Sequence, residues 1–167
     1  MKTIYVARHA EAVPVGLAGV YHDFDRYLTD TGIELLERQA KALMHMEPEI
    51  QACFSSPLVR ARQTATQLVQ AYGCEVQSSE ALGSTPDLGQ VQRLLEATSA
   101  RTVLLVTHQP FVVQLVSWLL TGDSELSCHF GTASVACLHL HLLSPGPRGE
   151  LMWLMNSETM AHLAHGW

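Results

Sequence analysis

Thr102-Val103-Leu104-Leu105-Val106-Thr107-His108 is the stretch that decides the fold. An unbroken apolar run bounded by threonines reads as a strand buried on both faces, the pattern of a parallel sheet covered by helices. His108 ends the strand, and Pro110 opens an apolar helix that runs to about Leu120 before Gly122. A second run of the same kind, Thr3-Ile4-Tyr5-Val6-Ala7-Arg8, ends in Arg8-His9. Both histidines therefore sit where a buried strand spills into a loop, which is where open α/β sheets place their chemistry.

Working outward, the loop after His9 runs to about residue 30 and contains Pro14, Gly16 and Gly19. Loops of that length in a compact domain are often functional. Thr29 or Asp30 then reads as a helix N-cap, with Glu34 in the first turn, Ile33, Leu36, Ala40, Leu43 and Met44 at helical spacing, and Pro48 as the stop. Residues 51–55 read as a strand, and 57–72 as a helix with Pro57 early and Gly73 after it. A polar connection over 77–86 leads into a weaker helix over 87–97. Residues 132–142 and 150–156 read as strands joined by the turn cluster Ser144-Pro145-Gly146-Pro147-Arg148-Gly149, a hairpin at a sheet edge. Strands alternating with helices predict a three-layer α/β/α fold, its sheet mostly parallel with an antiparallel edge, in one domain over 1–167.

Composition narrows the partners. With 167 residues, 47% hydrophobic and 16% charged, and no apolar stretch long enough for a membrane span, the chain reads as an ordinary globular domain with no membrane partner. The N-terminus enters a strand directly, without the apolar core and small-residue cleavage site of a signal peptide, so a cytoplasmic location is the expectation. A net charge of −6 argues against a nucleic-acid partner, which would require clustered Lys and Arg. Cys53, Cys74, Cys128 and Cys137 lack metal-ligand or disulfide-framework spacing and read as buried or inert thiols.

The residues at the strand ends suit phosphoryl chemistry. An imidazole such as His9 can attack phosphorus if the attacking nitrogen is unprotonated and the other is held by a backbone carbonyl or similar acceptor. Arg8, and Arg60 in Ser55-Ser56-Pro57-Leu58-Val59-Arg60-Ala61-Arg62-Gln63-Thr64-Ala65, offer planar forks to the phosphoryl oxygens that carry the transition-state charge. His108 adds a donor. A lone strand-end histidine is more often structural, but four such residues on three segments are harder to explain that way.

At this point the chain resembles the histidine phosphatase superfamily, also called the phosphoglycerate mutase-like family, and most closely its small SixA-type phosphohistidine phosphatases. The matching pieces are Arg8-His9-Ala10-Glu11-Ala12, Leu28-Thr29-Asp30-Thr31-Gly32, Ser55-Ser56-Pro57 through Thr64-Ala65, and Val106-Thr107-His108-Gln109-Pro110, with Gly131-Thr132-Ala133-Ser134 a looser match. The resemblance implies a phosphoglycerate mutase-like fold and His9 as the phosphorylated nucleophile. It also implies that Arg8, Arg60 and His108 form the catalytic phosphate pocket, with no metal or cofactor. Two departures stand out. Ala10 replaces the glycine usual after the histidine, and Ala81-Leu82-Gly83-Ser84-Thr85-Pro86-Asp87 has Ser84 where many relatives carry an acid for the leaving oxygen.

A missing acid bears on the substrate, because an alkoxide leaving group needs a proton and general-acid help is worth about 10²–10⁴-fold. Imidazole leaves from phosphohistidine far more readily. The expected activity is therefore hydrolysis of phosphohistidine on a protein, through a phosphohistidine enzyme intermediate. Alternatives are a small-molecule phosphate ester phosphatase, less favourably a mutase, or a non-catalytic binder of phosphoproteins. Asp87 or Glu11 could still serve as an acid if the loop folds back, while Glu11 could equally balance Arg8 at the surface. His22, Asp23 and Arg26 could line the crevice rim, and Arg62 reads as a surface residue or a partner behind the site. His139 and His141 share a strand face but lack a third ligand at recognisable spacing, so they read as exposed strand residues. His162, His165 and Trp167 form a C-terminal segment without a legible role.

Overall fold

The computed structural model describes residues 1–46 and 49–164. Among these, β1 (Lys2–Arg8), β2 (Ala52–Ser55), β3 (Val76–Ser78), β4 (Thr102–Thr107), β5 (Val135–Leu142) and β6 (Arg148–Met155) form one sheet in the order β3-β2-β4-β1-β5-β6. The pairs β1–β4, β2–β4 and β2–β3 are parallel, while β5 and β6 close one edge antiparallel. The helices are α1 (Asp30–Met46), α2 (Val59–Val69), α3 (Leu88–Ala97), α4 (Phe111–Thr121) and α5 (Ser157–Leu163).

The two decisive strands lie side by side at the centre, with Arg8 in register with Thr107. Their side chains alternate between two cores. Ile4, Val6, Val103 and Leu105 pack with α3 and α4 residues such as Val91, Leu95, Val112 and Leu115. Tyr5, Ala7, Leu104 and Val106 pack with Leu36 and Leu43 of α1, Leu68 of α2 and Met160 of α5. That is the three-layer arrangement the apolar runs predict: a strand with helices on both faces has no face left for polar residues.

The path of the chain fixes the place of the cleft. From β1 it passes through α1 to β2 and through α2 to β3, all toward one edge, then returns through α3 to β4 and crosses through α4 to β5 on the other side. The carboxyl ends of β1 and β4 flank the reversal, where the connecting loops part and leave a crevice.

Several local expectations need adjustment. Pro57 lies outside α2, which starts at Val59 with Leu58 as N-cap, because Leu58 keeps an extended ψ of 134°. Gly73 does end that helix, at φ 64°, after a 3-10 turn over Gln70–Tyr72. The 77–86 connection hides the short edge strand β3, whose polar Gln77 and Ser78 carried no strand signal because they face solvent. Pro110 caps α4 instead of beginning it, the hairpin strands start and end a few residues from the predicted bounds, and α5 follows β6 unpredicted. Thr29 is the N-cap of α1, its hydroxyl accepting from Gly32 N at 3.0 Å. Pro48, read as the stop of α1, and His165 and Trp167 of the tail lie outside the described residues. No helix of the described residues is long and apolar enough to cross a membrane.

Candidate active site

His9 leaves β1 and turns immediately into the protein, 7% exposed. Its backbone is tied on both sides: His9 N donates to Thr107 O at 3.0 Å, and its carbonyl accepts from Ala133 N at 3.1 Å. Ala10 N donates to Thr64 Oγ1 at 3.0 Å, and that hydroxyl donates to Arg60 O at 2.8 Å, so the loop after β1 and the first turn of α2 are held together.

The ring's tautomer follows from its neighbours. Nδ1 lies 2.8 Å from Ala10 O, which can only accept, so Nδ1 carries the proton. Arg60 Nε, which can only donate, lies 3.2 Å from Nε2, so Nε2 carries the lone pair. Both contacts demand the same tautomer. Burial lowers the pKa of His9 to about 4, against a raising contribution from Ala10 O, with the charges of Arg60, Arg8 and Arg26 pushing it down further. At neutral pH the ring is uncharged and Nε2 carries no proton.

Around it lies a cleft of about 480 Å³ lined by Arg8, His9, Glu11, Ala12, Asp23, Arg26, Arg60, His108, Gln109 and Thr132. The four residues singled out in the sequence, His9, Arg8, Arg60 and His108, are thus brought together. Arg8 donates through Nη1 to Phe130 O at 3.0 Å, while its Nε is buried without a hydrogen-bond partner among the described residues. Arg60, 4% exposed, donates through Nη1 to Asp23 O at 2.6 Å and through Nη2 to Asp23 Oδ2 at 2.9 Å. His108 follows Thr107, whose hydroxyl donates to Leu82 O at 2.9 Å. Burial and the charge of Arg60 lower the His108 pKa, opposed by Asp23.

Of the first-loop residues, Asp23 and Arg26 line the cleft and His22 does not. Burial pushes the Asp23 carboxyl upward, but hydrogen bonds and charge from Arg60 and Arg26 outweigh it and hold the group below the usual carboxylate range. Glu11 lines the cleft and accepts from Thr29 Oγ1 at 2.7 Å. Ser84 is exposed, and Asp87 caps α3 by accepting from Gln90 N at 2.7 Å; neither lines the cleft. Arg62 is exposed, pointing off α2 two positions from Arg60. His141 Nε2 lies 3.3 Å from Glu150 Oε2 across the hairpin, outside this region. Gln109 and Thr132 were not singled out in the sequence, although Gln109 adjoins His108 and Thr132 lies in the loosest matching segment. None of the four cysteines forms a disulfide among the described residues; Cys53 and Cys137 are buried and Cys74 and Cys128 partly so.

Fold and cleft together define the class: an α/β protein with a histidine at its sheet switch point, set in a ring of arginines. The branch 1 model of the histidine phosphatase superfamily matches residues 4–84. The chain is similar to phosphohistidine phosphatase SixA of Escherichia coli (strain K12), 26% identical over a 158-residue alignment that covers 92% of each chain. The solved structure of the protein histidine phosphatase SixA complexed with tungstate superposes with a TM-score of 0.80 at 26% identity, covering 95% of this chain and 99% of that one. A mycobacterial glucosyl-3-phosphoglycerate phosphatase complexed with inorganic phosphate shares the fold at 19% identity, with a TM-score of 0.68 and 95% and 99% coverage.

Proposed function

We propose that this protein is a phosphatase in which His9 takes the phosphoryl group, with a phosphohistidine displayed on a protein as its substrate. The observation that carries the reading is the state of the His9 ring. Nδ1–H is fixed on Ala10 O, Nε2 bears a lone pair, and burial and arginines keep the ring neutral at physiological pH.

The chemistry runs in two displacements. His9 Nε2 forms a bond to phosphorus as the substrate's N–P bond breaks and its electron pair returns to the ring nitrogen, so that the substrate ring, protonated at its other nitrogen, departs as neutral imidazole. Water then attacks the phosphoryl group on His9, the Nε2–P bond breaks, and inorganic phosphate leaves with the proton given up by water. Arg8, Arg60 and His108 supply donors to the equatorial oxygens through both steps. No step calls on a metal ion.

The acid-base inventory of the cleft favours phosphohistidine over an alkyl ester. Asp23 is ionised in its pair with Arg60 and has no proton to give, Glu11 on the cleft wall is engaged as an acceptor by the Thr29 hydroxyl, and Ser84 and Asp87 lie away from the cleft. An alkoxide would need a proton delivered to the leaving oxygen inside the cleft, whereas the ring of phosphohistidine takes its proton on the nitrogen remote from phosphorus and leaves as neutral imidazole. The rim is also reachable: Asp23, Gln109 and Thr132 are exposed, so a histidine on the surface of another protein can approach. The similarity to SixA agrees with this substrate class.

The test is metal-free phosphate release from a phosphohistidine-bearing protein, an alkyl phosphate ester and phosphoglycerate, with His9→Ala run beside wild type. Preference for phosphohistidine, lost in the variant, is the expected result. Faster turnover of the esters would overturn the substrate assignment, retained activity in His9→Ala the nucleophile, and loss of activity with EDTA the metal-free scheme.

A further inference from the structure

Arg60 can serve a phosphoryl group only if its fork is free, and in this structure it is not. All three guanidinium nitrogens are engaged: Nε on His9 Nε2, Nη1 on Asp23 O and Nη2 on Asp23 Oδ2. The two Nη donors form the planar edge that would clasp two phosphoryl oxygens, and Asp23 clasps it with two oxygens of its own. Its other carboxylate oxygen, Oδ1, lies 3.3 Å from Arg26 Nη1, a second cation on the cleft wall. The nucleophile is covered as well, because Arg60 Nε donates to the lone pair that must reach phosphorus.

Exposure identifies the partner that moves. The Arg60 side chain is 5% exposed and that of Asp23 61%. Arg60 rises from a buried position on α2 whose carbonyl is bound by Thr64, whereas Asp23 sits in a three-residue 3-10 turn with no buried residue. We propose that Asp23 is a built-in anion that occupies the phosphoryl subsite when the cleft is empty and is exchanged for the substrate's phosphoryl group. It thereby acts as a specificity-determining residue, since an incoming anion must compete with a tethered carboxylate for the same two donors. A doubly charged tetrahedral oxyanion with several oxygens outcompetes it; a singly charged anion with one or two oxygens gains nothing by replacing one carboxylate with another. The inference rests on the phosphatase reading of the cleft and adds to it how ligands enter.

Asp23→Asn keeps the shape and an acceptor but removes the charge, and Asp23→Ala removes the side chain. Titration calorimetry with tungstate and with inorganic phosphate is expected to give about tenfold tighter binding in both variants than in wild type. In Asp23→Asn combined with Arg60→Ala the gain should vanish. Turnover of the phosphohistidine substrate should show a lower KM without a higher kcat. A residue that merely held the loop or oriented Arg60 would weaken anion binding on removal, so unchanged or weaker binding in both variants overturns the proposal. Wild-type protein that turns over phosphohistidine and binds tungstate, beside variants that bind no better, leaves the phosphatase reading standing and this inference refuted. Wild type that neither turns over nor binds tungstate removes the reading and the inference together.

Discussion

His9 is defined by two contacts that no substitution preserves together: a proton on Nδ1 for Ala10 O and a lone pair on Nε2 facing Arg60. Its neutrality has a cost that can be measured. The folded pKa of about 4 lies below the ordinary 6.5, so on acidification the unfolded chain takes up a proton at this site before the folded one does. The contribution from a neutral His9 is therefore fully present above pH 6.5 and is lost as pH falls through the window down to about 4. Urea titrations should show wild type losing roughly 2 kcal/mol more than His9→Asn between pH 7.5 and pH 5. Equal losses would mean that the buried ring is not held neutral. The same low pKa predicts that turnover will not fall on an acid limb near 6.5 assignable to His9. Arg60→Ala should lower kcat on phosphohistidine roughly 10²–10³-fold, the usual effect of removing one donor to a developing oxyanion, read by steady-state phosphate release. A change within threefold would demote Arg60 to a structural partner of Asp23.

At the scale of elements, the site depends on how closely the first loop can approach α1. Gly32, in the first turn of α1, is buried, and a Cβ there would lie 2.6 Å from Glu11 O. Glu11 is backbone next to the His9 loop and cannot swing aside as a flexible side chain could. Gly32→Ala should therefore destabilise the fold by about 1–3 kcal/mol despite alanine's better helix propensity, seen as a lowered Tm. A Tm at or above wild type would mean that α1 can shift away from the loop at no cost. The elements also mark where local reading stops. β4 and β1 were legible because burial on both faces demands an unbroken apolar run, and α1 because its capping threonine and apolar spacing agree. β3 was not, since an edge strand of three residues is stabilised by pairing with β2 and needs no apolar pattern of its own. Nor was α5, a seven-residue helix held by packing Met160 and Ala161 under α1 more than by local propensity.

At the scale of the whole molecule, the position of the cleft is a property of strand order. Two strands distant in sequence become neighbours only because the chain leaves β1 toward one edge and returns beside it as β4. This brings His9 and His108 to one crevice and lets α2, entering from β2, deliver Arg60 to the same place. The sequence by itself determined the class of fold and the set of chemical groups. Apolar runs that end in Arg8-His9 and His108 can satisfy their burial only in a covered parallel sheet, and the matching segments in order carry the resemblance to the histidine phosphatase superfamily. Only the tertiary structure decided which carboxylate on the cleft wall pairs with Arg60. Ser84, Asp87 and Glu11 were the positions weighed as an acid, yet Asp23, from the long first loop, is the one that grips Arg60. The reason is physical: a loop residue's partners depend on where the chain folds back, and neither periodicity nor propensity encodes that return. The charge state of His9 was beyond local reading for the same reason, because it is set by burial and by arginines drawn from three separate segments.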